Sequence, residues 1–515
     1  MQRSLTLPPY RRLVLTFNHL AGRRMASNSE CSAGIIVIGD EILKGQTEDT
    51  NSHFICKHLF ALGVKVKKIS VIGDDLDTIA NEVALFSKSY THVITTGGIG
   101  PTHDDKTFEG VAKAFNEVLE PNPVIVELCK EYFGPAALDS PKMKLAMVPK
   151  SGNTVFGVHP VTGQKNKFPL VTVKNVYIFP GVPQILERSF VALEHLFKNP
   201  CKDFLTREVY VNKDEVSIAE VLNKVDGKHN KTVTLGSYPD FHNSYYKVKL
   251  VLESESKNDL EEACSTLTGS LPKDCIVDYD RSPISNAVDK VYRIVDSCDQ
   301  CDYTNNVREA VRIIEQSIDK YGLDDSCVGF NGGKDCTVLL HLFYAVAKKK
   351  FPDYKHKYKA LYIRSKSVFP EVEKFIQISR DNYSLEILNF NGRIKDCLGD
   401  LQKEHPNIKS VVMGTRKTDP FSSHLQSFSM TDSDWPQFMR VNPILNWSYS
   451  HIWQFLRSLN IPYCSLYDRG FTSLGSMNNT HPNPNLQYID DQGILRYHAA
   501  YTLQDQNSER NGRNT

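Results

Sequence analysis

The chain has 515 residues, a length that at about 150 residues per domain predicts about three domains. Its composition, 41% hydrophobic and 23% charged, is typical of a globular protein, and its net charge of +1 provides no basic field that would favour nucleic acid. No apolar run approaches the roughly 18 residues that span a bilayer, so neither nucleic acid nor a membrane is expected as a partner. The 12 cysteines are irregularly spaced, which is typical of reduced thiols in an intracellular protein.

Residues 1–29 differ in composition from the rest of the chain. They are rich in Leu, Ser and Thr, contain no acidic residue, and carry the basic side chains Arg3, Arg11, Arg12, Arg23 and Arg24. This composition is typical of a mitochondrial transit peptide, with a disordered tail as the alternative interpretation. Met25 could serve as a second start. We therefore predict a mitochondrial matrix form, and a cytoplasmic form that begins at Met25.

Residues 31–198 alternate predicted strands and helices. GIIVIG (34–39) is a continuous apolar run, which is typical of a strand buried on both faces of a parallel sheet. A helix closed by Gly63, a second strand, a second helix and the strand THVITTGG (91–98) follow. This order predicts a doubly wound α/β domain with polar residues at the carboxyl ends of its strands.

Three further segments follow in chain order. Residues 203–281 contain two strand patterns and two helix patterns, which predict a small α+β unit. Residues 282–305 are predicted as a linker, and their single CxxC, Cys298 and Cys301, is interpreted as part of that linker because no second metal-ligand pair lies at zinc-finger distance. Residues 306–515 again alternate helices and strands. The predicted fold class is thus two doubly wound α/β domains joined by a small α+β unit.

A glycine-rich loop, NGGKDC (331–336), stands between a predicted strand and a predicted helix. Bare backbone N–H groups and the partial positive charge of a helix N-terminus are what a phosphate requires. Lys334 would neutralise phosphate charge, and Asp335 would hold a metal ion that bridges phosphates. The loop is neither a Walker A loop, since Val328 and Asp335 occupy two of its defining positions, nor a dinucleotide GxGxxG loop. A simple helix cap by Asn331 is the alternative.

The loop resembles the pyrophosphate loop of enzymes that cleave ATP between its α and β phosphates, with Asn331 and Cys336 in place of two serines. Its NGGKDC form is similar to the FAD synthase branch of the PAPS-reductase-like (PP-loop) family. Four further stretches share the resemblance: GTRKTDP (414–420), WPQFMRVNPILNWS (435–448), YDRGFTSLGS (467–476) and the tail ERNGR (509–513). The resemblance covers roughly residues 300–513.

The resemblance implies AMP transfer from ATP to FMN, with Mg²⁺ and without a protein nucleophile. It implies catalytic roles for Asn331, Asp335, Asp419, Arg510 and Arg513, with Asp335 and Asp419 sharing the metal. It implies ATP contacts from Phe330, Gly332, Gly333, Lys334, Ile363 and Arg416, and FMN contacts from Trp435 and Arg469. The alternative role of Trp435 is core packing. Arg469 would serve either phosphate binding or packing, and the alternative for Arg510 and Arg513 is that they belong to a solvated terminus.

Related activities are less consistent with the sequence. PAPS reductases and sulfurtransferases need a reactive cysteine, whereas the last cysteine, Cys464, lies in an apolar stretch typical of a buried thiol. A flavin-binding chaperone that loads apoflavoproteins is the alternative from a different class, although a pure binder has no need of Asp335 and Asp419. Apoflavoproteins that receive FAD are also predicted partners of the enzyme.

The N-terminal domain carries a second glycine-rich turn beside acidic residues. Carboxylates near a phosphate-shaped loop at strand ends suggest a divalent metal and a phosphorylated ligand, with capped turns as the alternative. The predicted site comprises Asp40, Glu41, Gly97, Gly98, Asp104 and Asp105. GDEILKGQTEDTNSHFICKHL, GGIGPTHDDKT and FPGVP resemble the CinA-like form of the molybdopterin-binding fold. That resemblance implies metal-dependent cleavage of FAD to FMN and AMP, molybdopterin handling, or a regulatory module without catalysis.

Overall fold

The computed structural model describes residues 31–134, 140–200, 204–365 and 367–514. The predicted targeting segment and Met25 lie outside the described residues. The chain forms two compact units: the first contains the described residues up to Thr206 with Lys231–Val233 and Glu253–Glu261, and the second contains the rest. Among the described residues, no helix combines the length and the apolar character that crossing a membrane requires.

The first unit is built on a six-stranded sheet in the order β2-β1-β3-β8-β7-β6, flanked by helices. Strands β2, β1, β3 and β8 are parallel to one another. Strand β7 is antiparallel to β8, and β6 is antiparallel to β7. The strands are β1 (Ser32–Ile38), β2 (Lys65–Ile72), β3 (His92–Thr96), β4 (Leu119–Pro121), β5 (Met147–Pro149), β6 (Asn153–Val155), β7 (Leu170–Val173) and β8 (Val176–Phe179). The helices are α1 (Asp40–Leu43), α2 (Asn51–Ala61), α3 (Leu76–Ser89), α4 (Thr107–Ala114), α5 (Pro123–Phe133) and α6 (Pro183–Leu193), with 3₁₀ turns at Pro141–Ala146 and Glu194–Leu196.

Strand β1 is buried on both faces, as its continuous apolar run predicts. Ile36 and Ile38 belong to one hydrophobic cluster, and Ile35 and Val37 to another. Because successive side chains of a strand point to opposite faces, the two clusters lie on opposite sides of the sheet. The strand therefore runs through the centre of the domain and delivers Asp40 to its carboxyl edge.

A four-stranded sheet in the order β10-β11-β9-β12 forms the middle of the chain. Its strands are β9 (Leu205–Val211), β10 (Val233–Pro239), β11 (Val248–Ser254) and β12 (Ile276–Val277), accompanied by α7 (Glu215–His229) and α8 (Lys257–Ser270). The strands and helices that the sequence predicts in this segment are therefore present.

The segment 282–305, predicted as a linker, contains a packed helix, α9 (Ala287–Val295). Ala287, Val291 and Tyr292 are buried in the main hydrophobic cluster of the second unit. Their spacing of four residues and one residue places them on one face of a helix. The sequence predicts a linker here because this short apolar face lies among charged residues and is easily missed.

The second unit contains a six-stranded sheet in the order β15-β14-β13-β16-β18-β17. The strands are β13 (Ser326–Gly329), β14 (Tyr358–Arg364), β15 (Leu385–Asn391), β16 (Ser410–Val412), β17 (Phe428–Met430) and β18 (Met439–Val441), with a hairpin of β19 (Gln487–Ile489) and β20 (Leu495–Tyr497). The helices are α10 (Asp302–Tyr321), α11 (Lys334–Lys350), α12 (Pro370–Asn382), α13 (Ile394–Glu404) and α14 (Tyr449–Ser458), and 3₁₀ turns lie at Ser465–Arg469, Met477–Asn479, Pro484–Leu486, Ala500–Thr502 and Gln506–Arg510.

Five strands of this sheet are parallel, and only the edge strand β17 is antiparallel. From β13 the chain first adds β14 and β15 on one side and then crosses to place β16 on the other. The carboxyl ends of β13 and β16 therefore form a topological switch point, where open α/β sheets bind ligands. The predicted fold class, two α/β domains with an intervening α+β segment, is confirmed.

Candidate functional site

The glycine-rich loop connects β13 directly to α11. Phe330 N continues the strand pairing by donating to Leu361 O at 2.9 Å. Gly332 then adopts φ 75°, and a Cβ at this position would lie 3.1 Å from Val372 Cγ1. A side chain here would therefore be strained in its backbone and crowded by α12. Asn331 Oδ1 accepts from Gly333 N at 3.0 Å and closes the turn, but the N-cap of α11 is Gly333 and has no side-chain cap, so Asn331 is not the helix cap that the alternative interpretation expects.

A second loop follows β16 and lies against the first. A Cβ at Gly414 would lie 3.1 Å from Cys336 N, so a side chain at this position would crowd the two backbones, which a glycine does not. Beyond it, Asp419 Oδ2 accepts from Arg416 N at 2.9 Å, which closes a turn. The loops that carry Asp335 and Asp419, 84 residues apart in sequence, thus meet at the switch point.

Four charged side chains form a buried cluster beneath these loops. Lys334 Nζ lies 3.0 Å from Asp335 Oδ2 and 2.5 Å from Glu509 Oε1. Arg416 Nη2 lies 2.7 Å from both carboxylate oxygens of Glu509, and its Nε lies 2.8 Å from Asp335 Oδ1. The cluster contains two cations and two anions, so its formal charge is zero, which is the condition for placing charges out of water.

Burial and charge act in opposite directions on Asp335. Burial alone raises the pKa of its carboxyl, but the Lys334 ammonium and the Arg416 guanidinium outweigh burial and hold that pKa below its ordinary value. Burial lowers the pKa of the Arg416 guanidinium, but the carboxylates of Asp335 and Glu509 outweigh burial and raise that pKa. Asp335 and Arg416 are therefore both charged at neutral pH.

The structure directs Lys334 inward rather than toward solvent. Its side chain is only 2% exposed, and its ammonium lies 5.3 Å from the centre of the Tyr449 ring and 5.9 Å from that of Tyr467. Its backbone N–H donates to the Tyr467 hydroxyl at 2.8 Å. Lys334 is thus surrounded by protein groups, and its contact with the ATP phosphates stays a prediction.

The C-terminal tail folds back onto the loops. Arg510 Nη2 donates to Asp419 Oδ1 at 3.0 Å, and Arg513 Nη1 donates to Leu474 O at 2.7 Å. A β-bridge joins Arg513 to Thr480. Both tail arginines therefore have defined partners, with Arg513 partly buried and Arg510 exposed.

The remaining predicted contact residues of this domain are spread over two places. Ile363 and Trp435 are partly buried and pack against the same hydrophobic cluster on one face of the sheet. Arg469 instead pairs with Glu371 at 2.8 Å and lines a cavity of about 1010 Å³ that also includes Tyr245 and Lys247. Core packing, the alternative for Trp435, is therefore observed for part of its ring.

Two site residues, Glu509 and Tyr467, were missed by the sequence analysis although both lie in the stretches that carry the resemblance. Glu509 directly precedes Arg510 in a polar tail, where an acidic residue is usually solvated. The feature of the sequence that could have identified Glu509 is its place in the motif ERNGR. Only burial distinguishes it from the other acidic residues nearby.

In the first unit, the predicted glycine turn follows β3. Gly97 has φ 102°, and a Cβ there would lie 2.0 Å from Ile38 O, so neither the conformation nor the space allows a side chain. Gly98 has φ 62° and faces Asp74, whose Oδ1 would lie 3.4 Å from a Cβ. Gly97, Gly98, Glu41 and Asp105 line a cavity of about 950 Å³.

The carboxylates of this region have different surroundings. Asp40 pairs with Lys44 at 2.9 Å, and its N–H donates to Asp74 at 3.0 Å. The pKa of Asp74 is raised by burial and by Glu41, Asp40 and Asp104, so these acids lie within electrostatic reach of one another. Asp105 accepts from Thr102 N at 2.9 Å and therefore caps its own turn, as the alternative interpretation expects. Across the ranges that the structure describes, no three His, Cys, Asp or Glu side chains are arranged as a metal site.

Comparisons with known proteins cover nearly the whole chain. Residues 34–198 match the family "Probable molybdopterin binding domain", residues 203–280 match "FAD synthase, middle domain", and residues 326–482 match "Phosphoadenosine phosphosulfate reductase domain". "Probable FAD synthase" of Caenorhabditis briggsae is 38% identical over 96% of this chain and 98% of its own length. The protein of the same name in Caenorhabditis elegans is 38% identical over 93% and 96%.

The chain is also similar to a solved structure, that of Candida glabrata FMN adenylyltransferase in complex with FMN and an ATP analogue. The match covers 45% of this chain and 98% of that chain, at 25% identity and a TM-score of 0.41. The resemblance stated from the motifs is confirmed by the relatives that match from end to end. The chain belongs to the FAD synthase family.

Proposed function

We propose that residues 306–515 transfer AMP from ATP to FMN, giving FAD and pyrophosphate. One observation carries the proposal: the loops with Asp335 and Asp419 meet at the switch point of the sheet, with Arg510 of the tail on Asp419. The chain is accordingly a nucleotidyltransferase. A flavin-binding chaperone without turnover has no comparable support, because it has no use for paired carboxylates beside a phosphate loop.

In this reaction an oxygen of the FMN phosphate attacks the α-phosphorus of ATP. The bond from that phosphorus to the bridging oxygen breaks, and pyrophosphate leaves with the electron pair. The substrates repel each other, so the protein contributes positioning and charge neutralisation rather than a covalent intermediate. The loop backbone of Asn331, Gly332 and Gly333, at the N-terminus of α11, would bind phosphate oxygens. Arg510 and Arg513 would act on the developing negative charge.

Mg²⁺ fits the pair of loops by the chemistry of its donors. Asp335 and Asp419 offer carboxylate oxygens, which are hard ligands, and they would hold the ion. Asp335 Oδ1 is buried and accepts no aligned hydrogen bond from the described residues, although Arg416 Nε is close to it. Mg²⁺ bound with a nucleotide needs only one or two carboxylates, because phosphates and waters complete its shell. When bound, the ion would neutralise phosphate charge.

The test is incubation of the chain from Met25 with FMN, ATP and Mg²⁺, following FAD and pyrophosphate together. We expect equimolar formation of both products, and none without Mg²⁺. Absence of both products while FMN remains bound would contradict the proposal and favour the flavin carrier. Apoflavoproteins remain proposed recipients of the FAD, which holoprotein formation in the same mixture would measure.

The acids around Gly98 favour a second activity in the first unit. We expect the chain, given FAD and a divalent cation, to release FMN and AMP, because a metal held by carboxylates can activate water beside a phosphate-shaped loop. Asp74→Asn should lower the rate at least about tenfold, since Asp74 lies nearest Gly98 among the acids. Asp335→Asn, in the other unit, is the control and should leave this cleavage unchanged. Molybdopterin handling or a purely regulatory role would follow if no AMP appears.

We also propose that residues 1–29 direct the chain to the mitochondrial matrix and that a product from Met25 stays in the cytoplasm. Five arginines and no acid support this assignment. Fluorescent fusions that begin at Met1 and at Met25 measure it. A cytoplasmic location for both would contradict it.

A further inference from the structure

Glu509 joins the C-terminal tail to the glycine-rich loop through two buried cations. Its carboxylate accepts from Lys334 Nζ at 2.5 Å and from Arg416 Nη2 at 2.7 Å on each oxygen. The Glu509 side chain is 11% exposed, and the two basic side chains are each 2% exposed. This is the most enclosed ion-pair cluster among the residues that the structure describes in the second unit.

The cluster depends on the charge of Glu509. Without it, Asp335 alone would face both cations, and a buried cation with no counter-ion is strongly unfavourable. Lys334 and Arg416 are therefore occupied by the tail and cannot leave Glu509 for a phosphate without uncovering that charge. The two basic residues that the sequence suggests as phosphate ligands already have a different, largely buried partner.

Backbone contacts hold the same short segment in register. Thr472 Oγ1 donates to Glu509 O at 2.6 Å, and Asn483 Nδ2 donates to Ser508 O at 2.8 Å. Asn483 is fully buried. The next residue along the chain, Arg510, extends toward the open side and reaches Asp419. The position of the Arg510 guanidinium is thus set by how Glu509 is held.

We propose that Glu509 is a positioning residue that anchors the C-terminal tail, with Lys334 and Arg416 as its anchor points, so that Arg510 and Arg513 stand over the phosphates. The proposal rests on the proposed AMP transfer. In this proposal the tail arginines and the loop backbone neutralise the negative charge of the phosphates. Lys334 and Arg416 act indirectly, by keeping the tail docked.

Glu509→Gln keeps the size of the side chain and removes its charge, and the exposed Glu404→Gln is the matched control. We expect Glu509→Gln to lower kcat for AMP transfer about 100-fold with less than a threefold change in KM for ATP, because the loop backbone that binds ATP is intact while Arg510 is misplaced. Glu509→Asp should recover part of the loss. An unchanged or increased kcat would overturn the proposal, an increase meaning that Glu509 obstructs the site as a phosphate mimic.

A double-variant cycle tests whether Glu509 acts through Arg510. If it does, adding Glu509→Gln to Arg510→Gln should lower kcat less than threefold further, although Glu509→Gln alone lowers it about 100-fold. Fully multiplicative losses would overturn the proposal, because they would mean that the two residues act independently.

Trypsin provides a readout that does not depend on activity. It cleaves after Arg510 and Arg513, and an anchored tail resists it. Intact-mass analysis should show at least about tenfold faster loss of the tail in Glu509→Gln than in the unaltered chain, with Glu404→Gln unchanged. Equal rates would overturn the anchor. If Glu509→Gln does not fold, Glu509→Asp is measured in the same way. If the unaltered chain makes no FAD, the proposed function fails, but the protease result still tests whether Glu509 anchors the tail.

Discussion

Asp335→Asn is expected to lower the rate of AMP transfer about 1000-fold, an effect of about 4 kcal/mol on the barrier. The amide keeps the shape of the side chain but is a poor ligand for a hard cation, so it would hold Mg²⁺ less well than the carboxylate would. Steady-state formation of FAD, measured at saturating FMN and ATP over a range of Mg²⁺ concentrations, checks the expectation. High Mg²⁺ should recover only part of the loss.

The same substitution should also affect stability. Asp335 faces Lys334 and Arg416, so its neutral form leaves the buried cluster with a net charge of +1. We expect a loss of about 3 kcal/mol in the free energy of unfolding, at the lower end of what breaking a buried ion pair does. Kinetics should therefore be measured well below the melting temperature of the variant.

Asp396→Asn is the matched control for Asp335→Asn. Asp396 pairs with Arg393 on an exposed turn of helix α13, where an ion pair contributes little. Its removal should change neither the rate nor the melting temperature by a measurable amount. Near-normal turnover of Asp335→Asn would show that the glycine-rich loop is not the site of the metal and the nucleotide phosphates.

Arg510→Gln is expected to lower kcat about 1000-fold, at the lower end of what an arginine acting on a transferring phosphoryl group provides. Its side chain is 44% exposed and its guanidinium pairs with Asp419, so it lies at the open side of the site and can move to a phosphate. Arg510→Lys should recover only a small part, because an ammonium lacks the planar fork that contacts two oxygens at once. Single-turnover measurements with preformed enzyme and ATP separate this effect from ATP binding.

Arg496→Gln is the corresponding control, since Arg496 forms a similarly exposed pair with Asp490 in the nearby hairpin. We expect it to behave as the unaltered chain. If Arg510→Gln retains a third or more of the normal kcat, the tail does not act on the phosphates, and its contact with Asp419 is only structural.

Several features of this protein follow from the sequence alone. The continuous apolar run before Asp40 predicts a central strand buried on both faces, and the two clusters around β1 confirm it. The glycines at 332 and 97 mark backbone conformations that other residues adopt only with strain, and both have positive φ. These signals are local, because periodicity and backbone freedom are properties of a few consecutive residues.

Other features were decided only by the tertiary structure. The sequence suggests Lys334 as a phosphate ligand, yet its ammonium is paired with Glu509, 175 residues away. Trp435 packs against a hydrophobic cluster, whereas Arg469 pairs with Glu371 and lines a cavity, and the sequence predicts neither of these surroundings. The helix Ala287–Val295 gains its stability from packing in the main core of the second unit and not from its short sequence pattern. The sequence determines which backbone can approach a phosphate, whereas the partner of each charged side chain depends on which distant segments the fold brings together, because a charge is stable out of water only beside its counter-ion.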